Sequence, residues 1–461
     1  MPVLLRKIIE PKQQIPESRK LFDNRALAAL IIPIVIEQFL NLLVGVADTF
    51  MVSSAGESAV SGVALVNQLN NVFVLVFSAI AAGGSAVISQ YIGAKQKEHG
   101  CLAASQLLTS GTLIAVVLTG LIILFGSPLL NLLFGNVDSE VFDNALRYLH
   151  ISAYSYVFLA IYNAGAGVYR SMGNTRTLMF VSMGMNVINV AGNAIGIYVL
   201  NAGVAGVAWP SFISRFFGAA FMVILAANPK SFISYRPKYV FRFNRGMIKR
   251  IFRIAAPNSI ENGLFQITKV AIISIVALYG TAQIAANGVA QSIWAVSAMF
   301  NLAMGPAFIT VIGRYMGKGD TEGADYYMKK LLRITVVFAT AWNIFFFLVS
   351  IPLLQLYSLS PEATYYAFWL ILIHNALNGL ICPFSYALSS GLRAAGDARF
   401  TMFSAIISSV IVRSVFSVLF SLILHFGVLG IAAAMVLDWI TKAALVWTRY
   451  KRGKWKTFKV I

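Results

Sequence analysis

Two stretches of this chain put a carboxylate where a carboxylate is expensive. Pro33-Ile34-Val35-Ile36-Glu37-Gln38 and Pro257-Asn258-Ser259-Ile260-Glu261-Asn262 each set a glutamate a few residues inside a long apolar segment, and Asp48 follows later in the first. A charge at such a place costs several kcal/mol unless it is solvated, paired or protonated, so it usually marks an ion or substrate path. Low dielectric favours the neutral acid, which can hold a proton. Losing that proton restores a charge that attracts a cation. Asp48 with Asn189 is the expected coupling pair of the first half, and the place a sodium ion would take. Glu261 is the expected group of the second half, with Glu37 a further candidate.

Helical geometry, at about 100° per residue, sorts the remaining polar residues into faces. Glu37, Asn41 and Asp48 share one stripe, and Glu261 shares another with Thr268. Asn67, Asn71 and Ser78 form a third; Asn186, Asn189 and Asn193 a fourth; His374, Asn378 and Ser385 a fifth. Inward stripes of this kind would line a wet cavity. Its expected lining is Asn41, Asn67, Asn71, Asn186, Asn193, Gln266, Lys269, Gln291, His374 and Asn378, with Phe265 supplying apolar contact. Plainer roles compete. Asparagines also join helices to one another, and the spacing of Gly192 and Gly196 suits close packing. His374 also fits as a hydrogen-bonded helix residue, Asp438 as the partner of Lys442 one turn on, and Arg413 as a structural counter-charge.

The elements that must carry these residues follow from composition. Of 461 residues, 58% are apolar and 11% charged, whereas a soluble domain carries roughly a quarter charged residues. The chain therefore reads as an all-α polytopic membrane protein embedded in a lipid bilayer. Twelve spans fit, near 26–51, 59–91, 101–125, 143–168, 176–200, 204–227, 251–278, 283–315, 326–350, 364–391, 400–425 and 428–448. The second and eighth exceed what a bilayer needs, and Asp23 or Asn24 suits the cap of the first. The net charge of +19 falls into alternate loops, as insertion by the positive-inside rule requires, and not into a nucleic-acid patch. Both termini are expected on the cytoplasmic side.

A repeat organises the whole. Glu37 and Glu261 lie 224 residues apart (261 − 37), as do Gly56 and Gly280, Tyr91 and Tyr315, Glu98 and Glu322, and Gly203 and Gly427. Arg170-Ser-Met-Gly173-Asn-Thr-Arg176 matches Arg393-Ala-Ala-Gly396-Asp-Ala-Arg399 with a shift of one residue. The expected domains are a cytoplasmic segment 1–25, a six-helix bundle 26–227, a basic linker 228–250, a second bundle 251–448 and a basic tail 449–461. An even number of spans per copy gives both halves one orientation, with an axis along the membrane normal and a central cavity.

Several functions are excluded on the residues. No Walker loop, HExxH or GxSxG occurs, and four scattered histidines offer no metal cluster, so an enzyme is not expected. Cys101 and Cys382 suit packing and have no ligand or disulfide spacing. The first 25 residues hold Pro11, Pro16 and scattered charges, which do not read as a signal peptide.

Val46-Ala47-Asp48-Thr49-Phe50-Met51 with Gly56, Ile260-Glu261-Asn262-Gly263-Leu264-Phe265-Gln266, the paired arginine loops and the tail Gly453-Lys454-Trp455-Lys456 together resemble multidrug and toxic compound extrusion (MATE) transporters. The resemblance covers about 20–450 and rests on the order of the motifs. It implies two six-helix bundles forming a V, no cofactor, and export of cationic or amphipathic compounds against proton or sodium inflow. It also implies a monomer in the plasma membrane. Asp48 matches the family's first-span coupling carboxylate and Glu261 its seventh-span glutamate. The acid that the NorM branch adds in the tenth span has no match, since Cys382-Pro383 stands at the nearest place. Related lipid-linked saccharide flippases share the plan. They would need a cavity rich in Arg and Lys, and the spans supply only Arg215, Lys269, Arg413 and Lys442.

Overall fold

The computed structural model describes residues 8–461 except positions 55, 136 and 358. All regular structure among them is helical. In the first half, α1 is Asn24–Ser53, α2 Glu57–Gly93, α3 Lys97–Phe134, α4 Ser139–Ser171, α5 Thr175–Ala194 and α6 Ala205–Ala226. In the second, α7 is Arg245–Val276, α8 Thr281–Gly317, α9 Thr321–Leu356 and α12 Gly427–Lys451. Between them, α10 runs from Pro361 through a π turn at Pro383–Ala387 to Ala395, and α11 runs from Ala398 to Ile423 with π turns at Ile406–Val412 and Leu419–Ile423.

Eleven of these twelve are both long and apolar enough to cross a membrane. The other, α4, is 33 residues long, and Asp143, Arg147 and His150 dilute its hydropathy. The chain is a multi-pass membrane protein. At a rise of about 1.5 Å per residue, α2 and α8, each of 37 residues, reach well past a hydrocarbon core of about 30 Å. So do α3 and α9, which the sequence did not single out.

Local chemistry explains the ends. Asp23 Oδ1 accepts from the Ala26 amide at 2.6 Å, the cap expected for α1. Gly56 and Gly280 precede α2 and α8 at φ 103° and 82°, a region open to glycine and strained for other residues. The repeat thus extends to backbone conformation. Between α5 and α6, a Cβ on Gly196 would come within 2.2 Å of the Gly206 carbonyl oxygen, and one on Gly192 within 2.6 Å of the Pro210 ring. That is the close packing their spacing suggested.

The described residues form two compact units, residues 32–256 and residues 257–461 together with 8–31. The division falls beside Pro33 in α1 and at Pro257 in α7, and not at the ends of the linker. Each proline removes a helical hydrogen bond where its helix passes from one unit to the other. The N-terminal turns of α7 therefore count with the first-half helices, and those of α1 with the second-half helices.

Side chains account for the exchange. In the unit 32–256, Gln106 Nε2 donates to the carbonyls of Tyr239 and Arg242, the latter at 2.9 Å, while its Oε1 accepts from the Asn244 amide at 2.9 Å. Arg236 pairs with Glu98 at 2.8 Å. In the other unit, residues 8–23 lie on α8 and α9. Lys330 pairs with Glu10 at 2.8 Å, Arg19 pairs with Asp320 and, at 2.7 Å, with Glu322, and the Leu21 amide donates to Tyr315 Oη at 2.7 Å. Glu98 and Glu322, partners in the repeat, each hold an arginine of the segment that leads into the next exchanged helix.

The segment 8–23 carries a pH signature. The Arg19 guanidinium holds the Asp320 carboxyl below the usual carboxylate range. A lowered folded value means stability present above the ordinary aspartate pKa of about 3.9 and lost as pH falls through the lowered value. Amide protection of residues 8–23 in hydrogen exchange, corrected for intrinsic rate, is expected to hold from neutrality to about pH 5 and to fall away only below about pH 4. Release already at about pH 5 would show that a different group fastens the segment.

Candidate functional site

The first unit meets the polar stripe of α1 residue by residue. Arg170, closing α4, donates to Glu37 Oε1 at 2.9 Å, and Glu37 is buried with its Oε2 unpartnered. One step along, Asn186 Nδ2 donates to Asn41 Oδ1 at 3.2 Å, with Ser182 at 3.4 Å. Beyond that, Asn193 Nδ2 donates to Asp48 Oδ1 at 2.7 Å and reaches Asn189 Oδ1 at 3.4 Å. Both asparagine rungs span 145 positions and sit seven residues apart on each helix (48 − 41 and 193 − 186). That is the register of two parallel helices packed side by side over two turns.

Asp48 is half-buried, and among the described residues no cation lies within ion-pairing distance of it. Asn189, expected to touch Asp48, instead donates to Ser211 on α6 at 3.0 Å and reaches Asp48 only through Asn193. Behind this site Arg215 donates to Ser155 at 2.6 Å. Tyr156 donates to Asn70, and Asn67 accepts from Tyr148 at 3.3 Å and from Asn70 at 3.4 Å. Asn71 is exposed and takes no part in this network. The sequence reading missed Asn70, Tyr148 and Tyr156, because Asn70 lies off the stripe and buried tyrosines look like packing.

In the second unit the charges are tied down differently. Glu261 Oε1 accepts from Lys442 on α12 at 2.8 Å, and its Oε2 from Arg393 on α10 at 3.0 Å. Arg393 also donates to Ser390 at 2.9 Å, and the Lys442 ammonium sits 4.7 Å above the Tyr386 ring. The two glutamates of the repeat are thus held by the two arginines of the repeat, Glu37 by Arg170 and Glu261 by Arg393. The second unit adds a lysine.

One expectation is corrected by this arrangement. Lys442 does not pair with Asp438 one turn away, since its ammonium is drawn to Glu261. Asp438 instead accepts from Ser409 at 2.9 Å and faces Arg413 at 3.8 Å, the counter-charge role foreseen for that arginine. Asn378, expected on a cavity wall, is fully buried between Asn301, which donates to it at 3.2 Å, and Asn343, to which it donates at 3.0 Å. This three-helix asparagine cluster joins α8, α9 and α10. Phe265 lies under the Arg413 guanidinium at 5.6 Å. Lys269, Gln291 and His374, with Arg413, come together on a small cavity within this unit. Gln266 is half-buried and does not line it. Among the described residues no cluster of three or more His, Cys, Asp or Glu could hold a metal ion. Cys101 and Cys382 are buried free thiols.

Comparison with known proteins gives this geometry a family. The MatE family profile matches twice, over residues 33–195 and 257–419, and the two matches are displaced by the 224 residues of the internal repeat (257 − 33). The uncharacterized transporter YisQ of Bacillus subtilis is 27% identical over 93% of this chain and 94% of its own length. A probable multidrug resistance protein NorM of Thermotoga maritima is 26% identical over 98% of this chain and 96% of its own. Among solved structures, a MOP superfamily transporter from Pyrococcus furiosus, described for the reversed polarity of its binding pocket, superposes with a TM-score of 0.87 at 21% identity, covering 97% of this chain and 100% of that one. A MATE in complex with MaD3S gives 0.86 at 20% identity over 94% of this chain and 97% of that one. At these identities the structures speak for the fold. Two profile matches that together take in most of the sequence, each over one copy of the repeat, make this chain a membrane transporter of the MatE family.

Proposed function

We propose that this protein exports cationic, amphipathic compounds from the cell in exchange for inward-moving protons or sodium, by alternating access, with Asp48 as the coupling carboxylate. One observation carries the choice of residue. Asp48 is held by a neutral amide, whereas Glu37 faces Arg170 and Glu261 is shared by Arg393 and Lys442. A carboxylate with no cation in ion-pair contact can be neutralised by whichever cation reaches it, so a proton or sodium ion and a cationic substrate compete for one place. Asn193 would orient it and Asn189 would hold Asn193. The names of the relatives, multidrug resistance among them, agree with this reading. The plasma membrane, cytoplasmic termini and a monomeric state complete the proposal.

Purified protein in liposomes loaded with a cationic dye tests it. Imposing an inward proton gradient, or separately a sodium gradient, is expected to drive dye movement with at least one of the two. Equal dye retention with and without both gradients, in protein that still binds the dye, would overturn the exchange reading.

A further inference from the structure

The cavity of the second unit carries the opposite charge from the Asp48 site. It has a volume of about 30 Å³ and is lined by Lys269, Asn287, Gln291, His374 and Arg413, with Ile272, Ile273, Leu370, Ile431 and Met435 among its apolar walls. No carboxylate lines it. Among the described residues Lys269 makes no ion pair, and its side chain is half-buried. Arg413 is 6% exposed, and its Nε is buried without a hydrogen-bond partner. The same is true of His374 Nδ1, in a residue 2% exposed. Buried polar atoms are nearly always partnered, so these two leave hydrogen-bonding capacity free beside the cavity.

The repeat sharpens this. The 224-residue displacement carries Asp48 to Ile272 (272 − 48) and Asn189 to Arg413 (413 − 189), and both destinations line the cavity. At the loop before α11 the displacement has dropped to 223, from Asn174 to Asp397 (397 − 174). The π turn at Ile406–Val412, which α5 lacks at the matching place, adds the one residue that brings Arg413 into register with Asn189. Single-turn π insertions of this kind often serve to re-aim a functional side chain. One copy of the repeat holds an acid bonded to Asn193; the other holds a guanidinium and, three residues before the position that replaces the acid, an ammonium.

We infer that the cavity lined by Lys269, Arg413 and His374 is an anion subsite that takes the carboxylate of a zwitterionic amphipathic substrate. At about 30 Å³, against the roughly 10–15 Å³ that one water needs, the cavity admits a group of a few atoms and not a whole drug or a lipid headgroup. Arg413, already facing Asp438, brings donors at fixed angles; Lys269 brings the uncompensated charge. The apolar wall suits the carbon skeleton next to the carboxylate. This rests on the export reading for its substrate but not for its measurement.

The test is equilibrium binding without any gradient, using a xanthene dye with a free carboxylate and the methyl ester of the same dye, read by fluorescence anisotropy on protein in nanodiscs. Wild-type protein is expected to prefer the free acid by roughly tenfold or more, the scale of one charge-assisted hydrogen bond. Lys269→Gln is expected to abolish that preference, and Lys269→Arg to keep most of it. Because Arg413 is buried against Asp438, it is tested as the charge-neutral pair Arg413→Gln with Asp438→Asn, which is also expected to lose the preference. Equal affinity for acid and ester in the wild type, or an undiminished preference in Lys269→Gln, would overturn the subsite. If wild-type protein exports the ester under a gradient yet shows no acid preference, the subsite alone fails. If it prefers the acid but exports neither dye, the export reading fails.

Discussion

Asp48→Asn is expected to reduce gradient-driven export of a cationic dye to the leak rate of protein-free liposomes, with little change in melting temperature. The stability half follows from the contacts. Asp48 makes no ion pair, and its bond accepted from Asn193 at 2.7 Å can be kept by an asparagine side-chain carbonyl of the same size. The activity half follows from charge. A carboxamide neither binds a proton in this range nor attracts a cation, so the exchange has no site at which ion and substrate can alternate. Loss of transport together with loss of folding would leave the role unassigned to charge, so the melting curve belongs with the flux measurement. Undiminished export in folded Asp48→Asn protein would remove this residue from the coupling step.

Glu261→Gln is expected to act the other way, through the fold. It takes the single negative charge from between Lys442 and Arg393 and leaves two cations in the interior of the unit, where Lys442 is 3% exposed. Breaking a buried ion pair by removing one partner costs about 3–5 kcal/mol, because the remaining charge is uncompensated. Lys442→Met, which leaves Glu261 with Arg393, is expected to cost less. Glu261→Gln combined with Lys442→Met is expected to recover most of the loss, giving a coupling term of the kind a double-mutant cycle isolates. Thermal unfolding of the four proteins in one detergent provides the check. A cost below about 1 kcal/mol for the single Glu261 substitution would mean the cluster bears no structural load. Glu261 would then return as a coupling candidate beside Asp48.

These two outcomes separate carboxylates that look alike along the chain. Both stand in long apolar runs, one in each half of the repeat. Helix periodicity placed Glu37, Asn41 and Asp48 on one face, and the contacts with Arg170, Asn186 and Asn193 follow that face in order. The cap at Asp23, the close approach at Gly196 and the left-handed turns at Gly56 and Gly280 were legible for the same reason: each depends on a few adjacent residues.

What the sequence determined by itself was the set of membrane-spanning helices, the 224-residue repeat and the rotation of each polar stripe on its own helix. These follow from hydropathy and from 3.6-residue periodicity, which act within a turn or two of chain. The tertiary structure alone decided which charges meet. Lys442 lies four residues from Asp438, yet its ammonium goes to Glu261, 181 positions away, while Asp438 faces Arg413 and Asp48 is left with an amide. Long side chains can reach either neighbour, and in a medium of low dielectric the nearest opposite charge wins. Only the packing of α7, α10 and α12 sets which one that is.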